Sequence, residues 1–274
     1  MRTIGYIGNS HLLADIICCA PRFSLQWLIA ERGRVTEELL TFSTVREVAL
    51  HPVSTSADVA SVLDAKGETE LVVMGDFGIV LNGDAIDRGN IYNIHCGDLP
   101  RYKGRHPTFW ATVNGEKQIG ISLHKVVTSV DAGEIISNRK VPYYLWMNEH
   151  DLQAQLTRSV PELLEDLDRY LEGGKKVAYA NAPGHYHPRV KEADYHIDLA
   201  RDAPATIYNK VRAQAKYRGA SCDVPNVGKL WIKKMRFCPS QTEDTNTRDG
   251  SLLIEYRDGL SIRLLEYSRD EPAQ

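Results

Sequence analysis

The chain has 274 residues, 43% of them hydrophobic and 25% charged, with a formal net charge of −3. That is an ordinary globular composition, enough for one large domain or one large and one small domain. No apolar run approaches the roughly 18 residues of a membrane helix, and the opening Met1-Arg2-Thr3-Ile4-Gly5 lacks a signal-peptide layout, so the expectation is a cytoplasmic protein that does not enter a membrane.

Residues 2–8 read as a first strand ending in Gly8-Asn9-Ser10. Leu12, Leu13, Ile16 and Ile17 then recur at helical spacing, and the helix stops before Pro21. The turn between them has too few glycines for a dinucleotide fingerprint, so a Rossmann-like fold is indicated without a nicotinamide cofactor. Phe23–Ala30 fits a strand or a buried helix. A short strand over Glu47–Leu50 precedes His51-Pro52, and a helix over Ala57–Leu63 has Thr55 or Ser56 as its cap. Leu71-Val72-Val73-Met74 is continuously apolar, as in a parallel strand buried on both faces. A loop over Asp76–Leu81 follows.

Ile91-Tyr92-Asn93-Ile94 reads as another short strand, and it delivers Asn93 and His95 to its carboxyl end, where open α/β sheets collect ligands. Pro107–Val113 looks helical, Gly120–Val127 alternates as a strand, and Glu134–Lys140 is a candidate partner for it. Asn148–Leu171 is helical, with a break or a kink expected at Pro161 and a close at Gly173-Gly174. Beyond a linker rich in Pro and Gly, Ala203–Lys216 reads as a helix capped by Asp202. Strand-like runs follow over Lys229–Phe237, Ser251–Tyr256 and Leu260–Tyr267. Arg257-Asp258-Gly259 signals a hairpin, and Ser240–Asp249 a loop. The pattern predicts a Rossmann-like, mostly parallel α/β domain over residues 1–180, a linker over 181–195 and a small α+β, barrel-like domain over 196–274.

The five cysteines suggest no disulfide framework, zinc site or CxxC pair. Cys96 carries no separate mark of an activated thiol. His185, His187 and His196 lack the usual ligand spacing, so no metal is expected. From Arg201 to Arg236 basic residues outnumber Asp202 and Asp223, a pattern that fits either a phosphate-binding surface or a solvated face.

The chemistry-bearing residues are Asn93, His95 and Asp131. An amide donates to a developing oxyanion without changing charge, an imidazole donates or shuttles a proton near neutral pH, and a carboxylate orients the imidazole or assists proton removal. Such a trio suits direct acyl transfer to an amine that the substrate itself brings. The same residue types also serve as turn caps and hydrogen-bonded core groups, and a short motif does not separate these readings.

The wider stretch does. Asn93, His95, Leu99, Pro100, Gly104, Pro107, Trp110, Asn114, Gly115, Gly120, Ser122, Asp131 and Gly133 follow one another in the order of a known pattern. It resembles the core of the 10-formyltetrahydrofolate-dependent formyltransferases, with the amino-sugar N-formyltransferases most similar. The resemblance implies that Asn93 and His95 stabilise a tetrahedral oxyanion while Asp131 polarises His95 and assists proton removal. It also implies a cis Leu99–Pro100 bond, and a folate site on Met74, Phe77, Gly78, Ile79, Val80 and Leu81 that works largely through backbone groups. The co-substrate would be 10-formyltetrahydrofolate and the acceptor a nucleotide-linked amino sugar. Tyr102, Lys103 and Arg105 would line the acceptor pocket, with Lys103 or Arg105 meeting a diphosphate, although those charges also fit a plain surface. Many relatives carry Ser-Leu-Leu-Pro where this chain has Gly97-Asp98-Leu99-Pro100. The first strand-to-helix region lacks the basic insertion of a methionyl-tRNA formyltransferase, so a nucleic-acid partner is not expected, and a homodimer stays open. Methionyl-tRNA formylation and a non-catalytic folate-binding domain are the alternatives.

Overall fold

The structure, a computed structural model, describes residues 1–67, 71–173, 181–240 and 251–269. Gly174, Ala180 and all but the first residue of the expected loop over Ser240–Asp249 lie outside the described residues. Strand β1 (Arg2–Ile7) leads into helix α1 (His11–Cys19), whose cap Ser10 accepts from the Leu13 amide. The ambiguous run is strand β2 (Phe23–Glu31), because its parallel pairing with β1 supplies what its apolar pattern leaves undecided. Helix α2 (Glu37–Val45), capped by Thr36, has no counterpart in the sequence reading, and only Leu39 and Phe42 of it are buried, so its periodic signal is weak. Strand β3 (Ala49–Val53) includes Pro52, which an edge strand tolerates.

Helix α3 (Ser56–Lys66) starts on a capping box between Thr55 and Asp58. Strand β4 (Leu71–Gly75), the short helix α4 (Gly83–Asp87), strand β5 (Ile91–His95) and the two-residue β6 (Lys103–Gly104) follow. Helix α5 (Pro107–Val113), strands β7 (Gln118–Lys125) and β8 (Ile135–Pro142), and helices α6 (Glu149–Arg158) and α7 (Val160–Leu171) come next. The break between α6 and α7 puts Pro161 in the first turn of α7, where its missing N–H costs nothing. The described chain ends with β9 (Tyr186–His187), α8 (Glu192–Tyr195), α9 (Pro204–Gln214), β10 (Ala220–Val224), β11 (Gly228–Pro239), β12 (Leu252–Glu255) and β13 (Leu260–Arg269).

Two compact units emerge, and neither is continuous in sequence: Met1–Gly104 with Ile119–Val141 and Gln155–Tyr186, and Arg105–Gln118 with Pro142–Ala154 and His187–Gln274. The first holds a seven-stranded sheet in the order β3-β2-β1-β4-β5-β7-β8. Strands β1 to β5 pair in parallel and β7 runs antiparallel to β5, a mostly parallel sheet with helices. Leu71, Val72 and Val73 of β4 are fully buried between β1 and β5, which accounts for their unbroken apolar run.

The second unit is built on a four-stranded antiparallel sheet in the order β10-β11-β13-β12. Ile207 and Val211 of α9 share its core with Leu230, Ile232, Ile262 and Leu264. The α9 cap position is Ala203, not Asp202: the Asp202 carboxylate instead accepts from Lys210 Nζ at 2.7 Å and from the Asp198 amide at 3.0 Å. Asp258 and Gly259 both take the left-handed conformation that a tight turn between β12 and β13 requires. The basic stretch is not a single charged face. Arg212 is buried over the Tyr143 ring, Arg218 stacks on Trp231, and Lys229 pairs with Glu192.

Candidate active site

Side chains alternate along a strand, so Asn93 and His95 leave the same face of β5. The antiparallel register with β7 sets His124 opposite Asn93 and Ser122 opposite His95. An Asn-x-His on one strand therefore meets a Ser-x-His on its neighbour. The loop after β7 brings Asp131 to the same place, in a left-handed conformation at φ 50°. Its carbonyl oxygen accepts from the Asn181 side chain at 2.8 Å. At Gly133 a Cβ would lie 1.8 Å from the Lys125 carbonyl oxygen, so the Asp-x-Gly order is a packing requirement.

Ser122 ties down the turn that follows His95. Its hydroxyl donates to the Gly97 carbonyl at 2.6 Å, and its oxygen accepts from the Leu99 amide at 3.1 Å and from Asn138 Nδ2 at 2.9 Å. The Leu99–Pro100 bond is cis. His95 Nε2 lies 2.6 Å from the Tyr102 carbonyl oxygen, which can only accept, so that nitrogen carries a hydrogen. A Cβ at Gly97 would come within 2.6 Å of His95 Nε2 and 2.7 Å of the same carbonyl oxygen. Glycine at this position leaves room for this hydrogen bond.

The Asp131 carboxylate is enclosed. Oδ2 accepts from the Gly104 amide at 2.8 Å and sits 3.6 Å from His95 Nδ1, while Oδ1 is 3.3 Å from His124 Nε2. Burial alone would raise its pKa, but His95, His124 and the Gly104 amide together hold it at about 2. Burial lowers the His95 pKa and outweighs the attraction of Asp131 and the Tyr102 bond. At neutral pH the pair is an ionised carboxylate beside a neutral imidazole, with the lone pair of His95 on Nδ1.

The other expected site residues divide. Met74 is the next-to-last residue of β4, and Phe77, Ile79 and Leu81 pack toward the core while Val80 is 58% exposed. The Gly78 amide donates to Glu31 Oε1 at 2.7 Å, and Asn9 and Arg34 grip the same oxygen. Burial would raise the Glu31 pKa, yet these donors lower it. Among the described residues, no backbone hydrogen bond engages Ile79 or Val80. Tyr102 and Lys103 are buried rather than presented on a surface, and Lys103 Nζ donates to the Ala182 carbonyl at 3.1 Å. Arg105 opens a segment of the second unit, where its amide donates to the His187 carbonyl. Nearby, burial, Arg105 and Arg189 all lower the pKa of His106. Among the described residues no three metal-ligating side chains gather: His187 stacks on Trp110 and His196 bonds Ser221. The sequence reading missed His124, Asn181 and Arg189. Only His124 left a signal, two residues after Ser122, and it becomes legible once the register of β5 and β7 is known.

Residues 28–165, half of the chain, match the family described as Formyl transferase, and residues 189–267 match Formyl transferase, C-terminal domain. The chain belongs to the formyl transferase family. The chain is 30% identical over 198 residues to a methionyl-tRNA formyltransferase of Citrifermentans bemidjiense, a match that takes in 70% of this chain and 60% of that one. Its fold is similar to that of HypX from Aquifex aeolicus in complex with tetrahydrofolic acid, at TM-score 0.71 and 17% identity over 98% of this chain and 44% of the other. It is also similar to WlaRD, a sugar 3N-formyl transferase crystallised with dTDP and 5-N-formyl-THF, at TM-score 0.67 and 18% identity over 96% of this chain and 97% of that one. The chain spans between 45% and 65% of the length of curated relatives of this kind.

Proposed function

We propose that this formyl transferase moves a formyl group from 10-formyltetrahydrofolate to the primary amine of a nucleotide-linked amino sugar. On this reading residues 1–180 form the catalytic domain and 196–274 a smaller one beyond the linker 181–195. The observation that carries the reading is the ionised Asp131 beside the neutral His95, next to the Asn93 amide. Asn93 has two N–H groups, and His124 occupies one of them. The other donates to the negative charge that grows on the formyl oxygen as the amine adds. His95 spends its Nε2 hydrogen on Tyr102, so its Nδ1 lone pair is the group placed to accept the proton that the amine sheds. Asp131 steadies the resulting imidazolium, which gives the proton to N10 of the departing tetrahydrofolate as the bond between N10 and the formyl carbon breaks.

The loop over 77–81 fits the folate. A pterin edge alternates donors and acceptors, and Ile79 and Val80 offer unengaged backbone groups beside the apolar Phe77 and Leu81. The bound folate supplies the activated formyl group. Glu31 holds the loop by its Gly78 amide. The nucleotide-sugar acceptor draws support from the likeness to WlaRD, which extends over nearly all of both chains. Arg105 and Arg189, both near enough to act on His106, are the candidates to meet a diphosphate. Lys103 has a structural partner instead.

A second reading, methionyl-tRNA formylation, is favoured by the 30% identity to the Citrifermentans bemidjiense enzyme. Assays with 10-formyltetrahydrofolate, a panel of nucleotide-linked amino sugars and charged initiator tRNA separate the two. Turnover of a sugar nucleotide is the expected result. Turnover of tRNA alone would transfer the assignment to the second reading, and folate binding without turnover would remove the enzymatic one.

A further inference from the structure

His124 is 2% exposed and lies on β7 directly opposite Asn93. Three contacts define its state. Nδ1 lies 2.9 Å from the Lys125 carbonyl oxygen, an atom that only accepts, so Nδ1 carries the hydrogen. In the neutral ring that leaves a lone pair on Nε2, and Asn93 Nδ2, 3.1 Å away, donates to it. The same Nε2 is 3.3 Å from Asp131 Oδ1, and the ring meets that of His95 edge-on at 6.2 Å.

We propose that His124 is a positioning residue that decides which end of the Asn93 amide faces the reaction. The proposal rests on the formyl-transfer reading. The two ends of a primary amide are nearly the same size, and only the nitrogen end serves an oxyanion. Turning Asn93 end for end would place its oxygen against the Nε2 lone pair of His124 and break the hydrogen bond. Neutral His124 therefore holds Nδ2 in place with its second N–H free. The titratable groups facing the ring are Asp131 from the following loop and His95 from β5.

The test compares His124→Leu, which cannot accept a hydrogen bond, with His124→Gln, whose amide oxygen can accept from Asn93 but does not titrate. The assay is formyl transfer from 10-formyltetrahydrofolate to whichever acceptor, amino-sugar nucleotide or methionyl-tRNA, the unmodified enzyme turns over. His124→Leu should lower kcat by about 10²-fold, the usual loss when an oxyanion donor is misplaced, with folate affinity changed little. His124→Gln should recover most of that loss. Adding His124→Leu to Asn93→Ala should cost little more than Asn93→Ala alone, because both changes remove the same donor. Nitrogen NMR of the resting enzyme should find His124 as the Nδ1–H tautomer. The proposal is overturned if His124→Leu keeps its rate, if Gln performs no better than Leu, if the two losses multiply, or if the ring is the Nε2–H tautomer. An unmodified enzyme that formylates none of these acceptors would instead sink the formyl-transfer reading, and the NMR result would still judge the His124–Asn93 hydrogen bond by itself.

Discussion

Asp131 in the first unit and Glu149 in the second are both carboxylates with less than a tenth of their surface exposed, and they titrate in opposite directions. Burial raises both. Asp131 has a backbone amide donating to Oδ2 and an imidazole nitrogen within 3.6 Å of each oxygen, and stays ionised. Glu149 takes its hydrogen bonds from Thr108 at 2.9 Å and Gln153 at 3.0 Å on Oε1, while Oε2 is buried with no partner among the described residues. Its pKa rises because burial outweighs those two donors. The degree of enclosure is similar, so the placing of donors decides the charge. A carboxylate kept charged is suited to proton chemistry, and one driven toward neutrality to holding an interior together.

Exchanging charge for shape at Asp131 should separate the two most sharply. Asp131→Asn keeps the size but not the charge beside His95, and kcat should fall by about 10²- to 10⁴-fold, the range of general acid–base contributions, while folate binding by calorimetry persists. A variant with near-normal turnover would show that the carboxylate's charge has no catalytic part. Gly97→Ala tests the neighbouring ring by steric means alone. The added Cβ must displace either His95 or the Tyr102 carbonyl, so turnover should drop by about tenfold or more and stability by about 1–3 kcal/mol, the range for overpacking. Unchanged kinetics would mean that the His95–Tyr102 bond does not matter.

The pH dependence of unfolding should carry both signs. Asp131 is depressed from 3.8 to about 2, so it contributes about 2 kcal/mol that is present above pH 4 and lost as pH falls toward 2. His95, also lowered, adds a loss in the same direction as pH falls below 6.5. Glu149 is raised, so its contribution is complete below pH 4.5 and lost as pH rises through its folded value. Denaturant midpoints measured across pH 3 to 9 should show an optimum between these limbs. Glu149→Gln should have the smallest effect, within about 1 kcal/mol at neutral pH, and should remove the alkaline limb only. If Tm on the acid side moved with it instead, the assignment of the two limbs would be wrong.

Where local chemistry was sufficient, the sequence was readable. The apolar run Leu71–Met74 could only be a doubly buried strand, Pro161 had to end one helix and open another, and Asn93 and His95 had to share a face two residues apart. Asp202 shows the limit: it looked like a helix cap, but Lys210, one side of α9 away, offered its carboxylate a charged donor. Lys103 and Arg212 show it again. Their charge suggested surface roles, and the fold buried both against backbone carbonyls or aromatic rings.

The sequence by itself determined the order of the motif, the mostly parallel sheet and the shared face of Asn93 and His95, because each rests on spacing along one strand or turn. Tertiary structure decided that His124 joins Asn93 to Asp131, that Gly97 makes room for the His95 bond, and that one buried carboxylate is charged while another is not. Those facts depend on strand register and on which donors reach which oxygen, and neither quantity is written in the order of residues along the chain.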